Sequence, residues 1–253
     1  MPLTVHQFPC LSDNYGFLAR DEASGLAACI DTPEAGAILR ELKKLSWNLA
    51  LILNTHWHPD HAGGNAEVKA ATGATIVGPK EVTRISALDR EVGGGDAVEL
   101  GQTRFQVIET GGHTLGHITY FDAADRIAFV GDTLFAMGCG RLFEGDAAQM
   151  WTSLQRLAQL PDDTTVYCAH EYTAANARFA LSVDDDPALK RRAEQVFAAR
   201  ERGEPTVPTT IGLEKATNPF LRAPRLAERV GAAGQADYQA FGAVRAAKDI
   251  FKG

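Results

Sequence analysis

The chain has 253 residues, of which 45% are hydrophobic and 23% are charged, and its formal net charge is −7. This composition excludes a disordered chain and predicts a folded protein with one main domain and room for a smaller one. The negative charge argues against nucleic acid or an anionic membrane as a partner, because both require a positive surface.

Predicted strands and helices alternate over the first two thirds of the chain. In chain order they are the strands Tyr15–Arg20 and Gly25–Asp31, the helix Pro33–Leu45, the strand Leu49–Asn54, the helix Asn65–Ala71, the strand Ala74–Val77, the hairpin of Ala97–Leu100 with Arg104–Glu109, the pair Ile118–Phe121 and Arg126–Val130, the helix Met150–Leu160 and the strand Thr164–Cys168. After about residue 168 we expect only helices and loops, with helices at Pro187–Arg202 and Gln235–Phe251. The pattern predicts two domains, 1–169 and 170–253.

The chain start and the cysteines bear on the compartment. The first ten residues lack the basic start and apolar stretch of a secretory signal, and nowhere do about 18 apolar residues run together. Cys10, Cys29, Cys139 and Cys168 are scattered without a C-x-x-C pair, which favours reduced thiols over a disulfide framework. We expect a cytoplasmic protein, and we expect it to be a monomer.

The run Thr55-His56-Trp57-His58-Pro59-Asp60-His61 follows a predicted buried strand. His56 and His58 are two residues apart in extended backbone, so their side chains fall on one face and can bind one cation. Asp60 and His61 follow in a turn started by Pro59. Four nitrogen and oxygen ligands within six residues predict a metal site.

Further candidate ligands stand at other strand ends. His113 lies in Gly111-Gly112-His113-Thr114-Leu115-Gly116-His117, Asp132 in Val130-Gly131-Asp132-Thr133, and His170 in Cys168-Ala169-His170-Glu171. Strand ends are where a rigid sheet presents groups to a common site. Seven ligands are too many for one tetrahedral ion and suit two ions bridged by Asp132. We expect two divalent ions, zinc first, with iron or manganese as alternatives.

The C-terminal stretch from Arg222 to Gly253 is basic in an otherwise acidic chain. Its charged residues are Arg222, Arg225, Arg229, Arg245, Lys248 and Lys252 against Glu228, Asp237 and Asp249. A local excess of positive charge at the end of an acidic protein indicates a small anionic ligand.

The histidine and aspartate motifs together resemble the metallo-β-lactamase superfamily. Within it, the segments Cys139–Gly145, His170–Thr173, Asn218–Arg222 and Arg245–Lys252 resemble the glyoxalase II (hydroxyacylglutathione hydrolase) family over nearly the whole chain. The resemblance implies an α+β fold, in which a four-layer αββα sandwich is followed by a small helical domain that helps to bind glutathione. It implies hydrolysis of S-D-lactoylglutathione, the second step of methylglyoxal detoxification, to D-lactate and glutathione.

The resemblance also implies roles for individual residues. His56, His58 and His113 would hold one metal ion, Asp60, His61 and His170 the other, and Asp132 and a hydroxide would bridge them. Asp60 and Asp132 would thereby be the catalytic carboxylates. The residues that match glutathione-contacting positions are Arg141, Tyr172, Asn176, Arg245 and Lys248.

The chain departs from the family pattern at two positions, and two other functions are compatible with its sequence. Members of the family often have Lys at the position of Arg141 and Tyr at that of Phe143, so substrate affinity is expected to differ from the family norm. The first rival is a one-iron glutathione persulfide dioxygenase. The second is a non-catalytic module that binds metal or glutathione.

Overall fold

The computed structural model describes residues 2–253, which fold into two compact units. The first unit consists of residues 2–109 and 116–131, and the second of residues 110–115 and 132–253. Each unit has its own strands, helices and buried residues.

The first unit begins with a mixed sheet in the order β1-β2-β3-β4-β5-β6. Its strands are β1 (Leu3–Cys10), β2 (Asn14–Asp21), β3 (Leu26–Ile30), β4 (Asn48–Leu53), β5 (Thr75–Gly78) and β6 (Arg90–Glu91). The pairs from β1 to β3 are antiparallel and those from β3 to β6 are parallel. Between these strands lie α1 (Ala35–Leu45), α2 (Pro59–Ala62), α3 (Asn65–Thr72) and a 3-10 helix (Lys80–Arg84).

The helix α1 covers this sheet because its sequence is amphipathic. Ile38 and Leu42, four residues apart, are buried in one core with Leu18 and Ile52. The helix ends at Ser46, which adopts the left-handed conformation with φ 54° and donates its backbone N–H to a carbonyl of the last turn. The apolar stripe of α1 therefore fixes how the helix packs, and its end directs the chain into β4.

A second set of strands, all paired antiparallel, completes the first unit. It contains β7 (Ala97–Leu100), β8 (Thr103–Glu109), β9 (Ile118–Asp122) and β10 (Ile127–Gly131), and the turn between β7 and β8 has Gly101 at φ +60°. Strand β8 alternates, with Phe105 and Val107 inward, whereas β9 and β10 are buried throughout. The Tyr120 hydroxyl on β9 donates to the Asn54 carbonyl at 2.9 Å, just after β4.

The second unit is mainly helical. Its strands are the short hairpin of β11 (Leu134–Phe135) with β12 (Gly138–Cys139), and the pair β13 (Thr165–Cys168) and β14 (Thr209–Thr210). Its helices are α4 (Ala147–Ala158), α5 (Thr173–Val183), α6 (Pro187–Glu201), α7 (Ile211–Thr217), α8 (Ala223–Leu226) and α9 (Asp237–Ile250). Its core includes Phe179, Phe220 and Phe241, all almost fully buried.

Most elements expected from the sequence are present, and the differences concern strands. The expectation of no strand beyond about residue 168 is wrong, because Thr209 and Thr210 pair with Val166 and Thr165. A two-residue strand has no alternation to detect, and only its distant partner defines it. The strand Leu3–Cys10 was not predicted, and five of its eight residues are only partly buried or exposed, which weakens its pattern. The two-residue strands β6, β11 and β12 were not predicted either.

Candidate metal and ligand sites

In the first unit the run after β4 brings its first two histidines together. His56 is fully buried and His58 is partly buried, and His56 Nε2 lies 3.1 Å from His58 Nδ1. The two ring centroids are 4.7 Å apart. The two side chains therefore lie on the same side of the chain, as residues two apart in extended backbone do.

Pro59 turns the chain directly after this pair. A residue before proline is held extended, and His58 has φ −58° and ψ 147°, while Pro59 itself starts the short helix α2. The helix places Asp60 and His61 side by side, with Asp60 Oδ2 at 3.5 Å from His61 Nε2. The Asn14 amide, at the start of β2, donates to Asp60 Oδ2 at 3.1 Å and holds the carboxylate.

The buried carboxylate of Asp31 connects His56 and His61 through a network of hydrogen bonds. Asp31 accepts hydrogen bonds from the Thr55 N–H at 2.7 Å and from the Thr55 hydroxyl at 2.8 Å. Its Oδ2 also lies 2.9 Å from His61 Nδ1. Because a carboxylate paired in this way accepts, His61 carries its proton on Nδ1 and turns Nε2 away from Asp31. The Thr55 hydroxyl lies 3.0 Å from His56 Nδ1, so the network reaches that ring too.

Sequence reasoning did not find these supporting residues. Asp31 stood at the end of a predicted strand, the same position that singled out Asp132, so a signal was available. Asn14 had no such signal, because it meets Asp60 only through pairing of distant segments. His117, at the end of the segment 111–117, is by contrast expected from the sequence to support the site without binding metal; it is buried and stacks on His56 with ring centroids 4.8 Å apart.

In the second unit three of the predicted ligands meet. Asp132 Oδ2 lies 3.4 Å from His113 Nε2 and 3.4 Å from His170 Nε2, and all three side chains are buried. His113 Nδ1 is 2.9 Å from the Arg141 carbonyl, which can only accept, so Nδ1 carries the proton. The ring of Tyr172 stacks on that of His170 at 4.7 Å, with planes 3° apart.

The second unit also contains a cavity of about 470 Å³. All five residues predicted to bind glutathione line it, namely Arg141, Tyr172, Asn176, Arg245 and Lys248, together with Cys139 and Phe143. The Phe143 side chain is 62% exposed, and its ring meets that of His113 edge to face at 5.3 Å. A basic, partly aromatic cavity of this size suits a small anionic ligand.

The cationic groups of the cavity differ in how they are held. Arg245 is buried and donates to the Cys139 carbonyl at 3.0 Å and to Asp249 at 2.9 Å. Lys248 is half-buried and donates to the Ala175 carbonyl at 2.9 Å. Burial, reinforced by the positive charges of Arg245 and Arg141, lowers the pKa of Lys248 to about 8.

Two family models match the chain. The model "Metallo-beta-lactamase superfamily" matches residues 24–170, and "Hydroxyacylglutathione hydrolase C-terminus" matches residues 171–251. The predicted metallo-β-lactamase fold with a C-terminal helical domain is thereby confirmed. Neutral imidazoles and carboxylates are ligands that divalent metals accept, and together with this fold the His/Asp groups support divalent metal binding.

The fold is shared with solved structures. The crystal structure of ETHE1 from Myxococcus xanthus is 30% identical, with a TM-score of 0.68 over 97% of this chain and 90% of that one. The BLEG-1 B3 metallo-β-lactamase is 22% identical, with a TM-score of 0.66 over 86% of this chain and 99% of that one, and shows likeness of fold alone.

Curated relatives are similar over their whole length. A protein of Erythrobacter litoralis named hydroxyacylglutathione hydrolase is 54% identical over 98% of this chain and 100% of its own. A protein of Maricaulis maris with the same name is also 54% identical, over 98% of this chain and 99% of its own. The chain belongs to the hydroxyacylglutathione hydrolase family of the metallo-β-lactamase superfamily.

Proposed function

We propose that the protein hydrolyses S-2-hydroxyacylglutathione thioesters, with S-D-lactoylglutathione giving D-lactate and glutathione. The observation that carries this proposal is the 54% identity, over 98% of this chain and the whole of the other, to a relative named for that activity. The basic cavity supports it independently, because glutathione is an anionic tripeptide and arginine and lysine recognise carboxylates.

The seven histidines and aspartates are proposed to bind two metal ions. The first ion would take His56, His58 and His113, the second Asp60, His61 and His170, and Asp132 would serve both. Zinc is the proposed metal, with iron or manganese as alternatives, because His/Asp sites accept several divalent ions. Such ions, when bound, make hydroxide available near neutral pH and polarise a carbonyl.

The side chains of this site have separate tasks in the proposed reaction. Asp60, which Asn14 holds in place, orients the attacking group. Asp132, whose Oδ2 lies 3.4 Å from His113 Nε2 and 3.4 Å from His170 Nε2, would hold metal together with these two histidines. Arg141 and Lys248 bind the carboxylates of glutathione, and Arg245 holds the wall of the cavity through Cys139. Tyr172 and Asn176 complete the binding surface.

The remaining proposals concern organisation and surroundings. Residues 1–169 are proposed as the catalytic domain and 170–253 as the glutathione-binding domain, since the two family models meet between residues 170 and 171. Among residues 2–253, the structure contains no helix with the length and hydrophobicity to cross a membrane. A cytoplasmic monomer without nucleic-acid or membrane partners is proposed, in keeping with the net charge of −7 and four buried free thiols.

The test is a hydrolysis assay on S-D-lactoylglutathione, with metal content measured on the same sample. Turnover with two metal ions per chain is expected, and His58→Ala and Asp132→Ala should lose metal and activity together. Two bound ions without thioester hydrolysis would contradict the substrate and favour a binding module. Oxygen consumption with glutathione persulfide and one bound iron would favour the dioxygenase.

A further inference from the structure

The hairpin of β11 and β12 has an unusual backbone in the second unit. Its turn contains Met137, a residue other than glycine at φ +58°, in the left-handed region that costs side chains free energy. The whole segment 134–140 is buried. A strained and buried turn keeps its shape only where surrounding groups specify it.

Polar side chains from the helices supply that specification. Glu214 Oε2, on α7, accepts the Met137 N–H at 2.9 Å. The Asn218 amide, at the end of α7, donates to the Phe135 carbonyl at 3.2 Å and to the Gly138 carbonyl at 2.9 Å. The same amide donates to Glu214 Oε2 at 2.9 Å, so the two side chains hold the turn as one group.

Glu214 is fully buried, and its other oxygen is fully used as well. Oε1 accepts from the Arg192 guanidinium and from the Thr209 hydroxyl, the latter at 2.6 Å. Every group facing the carboxylate thus donates to it. A glutamine in its place would have an NH₂ group where one of the two oxygens now accepts hydrogen bonds. That group would face donors, and such a mismatch is destabilising in a buried site.

The shape of the hairpin reaches a candidate metal ligand through its C-terminal end. The hairpin returns the chain to its start, where the Gly140 N–H donates to the Thr133 carbonyl at 3.3 Å. A Cβ at Gly140 would lie 2.0 Å from the Asp132 carbonyl oxygen, so only glycine allows this approach. The next residue, Arg141, presents the carbonyl that fixes the His113 ring with Nε2 toward Asp132.

We propose that Glu214 and Asn218 are positioning residues for metal binding, which act through the hairpin and the Arg141 carbonyl on His113. The inference rests on the proposed role of His113 as a metal ligand. It gives the helical region a second task besides binding substrate, because its buried polar groups determine the orientation of a ligand on another segment. Outer partners of metal-bound histidines generally affect metal affinity in this way.

The experiment measures zinc affinity of the metal-free full-length protein by competition with a chromophoric chelator, without substrate. Glu214→Gln and Asn218→Ala are each expected to weaken the binding of one zinc ion by about 10-fold to 100-fold. Asn218→Ala leaves the Arg192–Glu214 pair intact, so it tests the inference even if Glu214→Gln fails to fold. Circular dichroism establishes that each variant is folded.

The matched control is Asp184→Asn, which also converts a buried acid of the second unit to its amide. Asp184 pairs with Arg222 at 3.3 Å, and no hydrogen bond connects it with the hairpin among those that the structure describes. The control is expected to lose stability but keep wild-type zinc affinity. Wild-type affinity in the folded Asn218→Ala variant, or equal weakening in the control, would overturn the inference. Normal zinc binding by a wild-type protein that hydrolyses no thioester would instead refute the proposed function alone.

Discussion

At the scale of single residues, the buried carboxylate of Asp31 determines which nitrogen of a neighbouring imidazole carries the proton. It lies behind the ligand run and fixes the proton of His61 on Nδ1, which leaves Nε2 with its lone pair. Through the Thr55 hydroxyl it also orders His56. Two histidines proposed for different ions therefore depend on one carboxylate.

Replacement of Asp31 by Asn is predicted to weaken metal binding. The amide presents one acceptor oxygen to two donors of Thr55 and to His61 Nδ1, so at least one contact is lost. Zinc affinity should fall by about 10-fold to 100-fold, measured by chelator competition. Asp89→Asn, on a partly exposed carboxylate of the same unit that pairs with Lys69, serves as the control. Unchanged affinity in Asp31→Asn would refute the role.

Lys248 is predicted to make ligand binding depend on pH. Below its pKa of about 8 the amine is cationic and attracts carboxylates, and above that pH the charge is lost. The groups around it are Arg245, Arg141 and Arg178, with Asp249 as the nearby acid. The Kd for S-methylglutathione should therefore rise, by roughly tenfold for a lost charged hydrogen bond, as the pH increases through 8.

The measurement is isothermal titration calorimetry from pH 6.5 to 9.5, on the wild type and Lys248→Met. S-methylglutathione has no free thiol, and titration of its own amino group is common to both proteins. The difference between their pH profiles isolates Lys248. Parallel profiles would rule out this lysine as the titrating group.

At the scale of elements, the short helix α2 and the hairpin of β11 and β12 each position candidate site residues although they contain few residues themselves. Pro59 starts α2 directly after the extended His58. This proline therefore separates His56 and His58, which follow the strand, from Asp60 and His61, which lie in the helix. The hairpin returns Arg141 to the neighbourhood of Asp132, through the close approach at Gly140. Both elements are too short to be stable alone and take their shape from their surroundings.

Helix α4 offers a test of an element that is separate from the chemistry. Its first residue follows Asp146, whose carboxylate accepts the Gln149 N–H at 2.8 Å as an N-cap. Asp146→Ala is predicted to lower the free energy of unfolding by about 1 kcal/mol and to leave zinc affinity unchanged. Chemical denaturation and chelator competition measure the two quantities. Asp146→Asn, which retains a capping oxygen, should recover most of the loss.

At the scale of the whole molecule, metal binding is predicted to stabilise the folded state. The predicted ligands come from segments far apart in the chain, which the unfolded chain does not hold together. Zinc at 100 times its Kd would contribute about 2.7 kcal/mol, and removal by a chelator should lower Tm by roughly 5–10 °C. Differential scanning calorimetry with and without zinc measures the shift. A chelator that leaves the Tm of the wild type unchanged would contradict the proposed metal site.

The sequence by itself determined the elements that depend on local pattern. Amphipathic α1 and the buried strands β9 and β10 follow from spacing of apolar residues, and all were predicted within a few residues. It also identified four of the candidate ligands as a group, because they lie within a single strand-end run, namely His56, His58, Asp60 and His61. Such features could be predicted because the interacting residues are neighbours in the chain.

Only the tertiary structure decided what supports those ligands. Asn14 reaches Asp60 across 46 positions, Asp31 reaches His61 across 30, and Glu214 reaches Met137 across 77. The short strand Thr209–Thr210 also exists only through a distant partner. A buried polar group forms hydrogen bonds with whichever partners the fold brings next to it. Because those partners are distant in the chain, the spacing of residues in the sequence does not predict them.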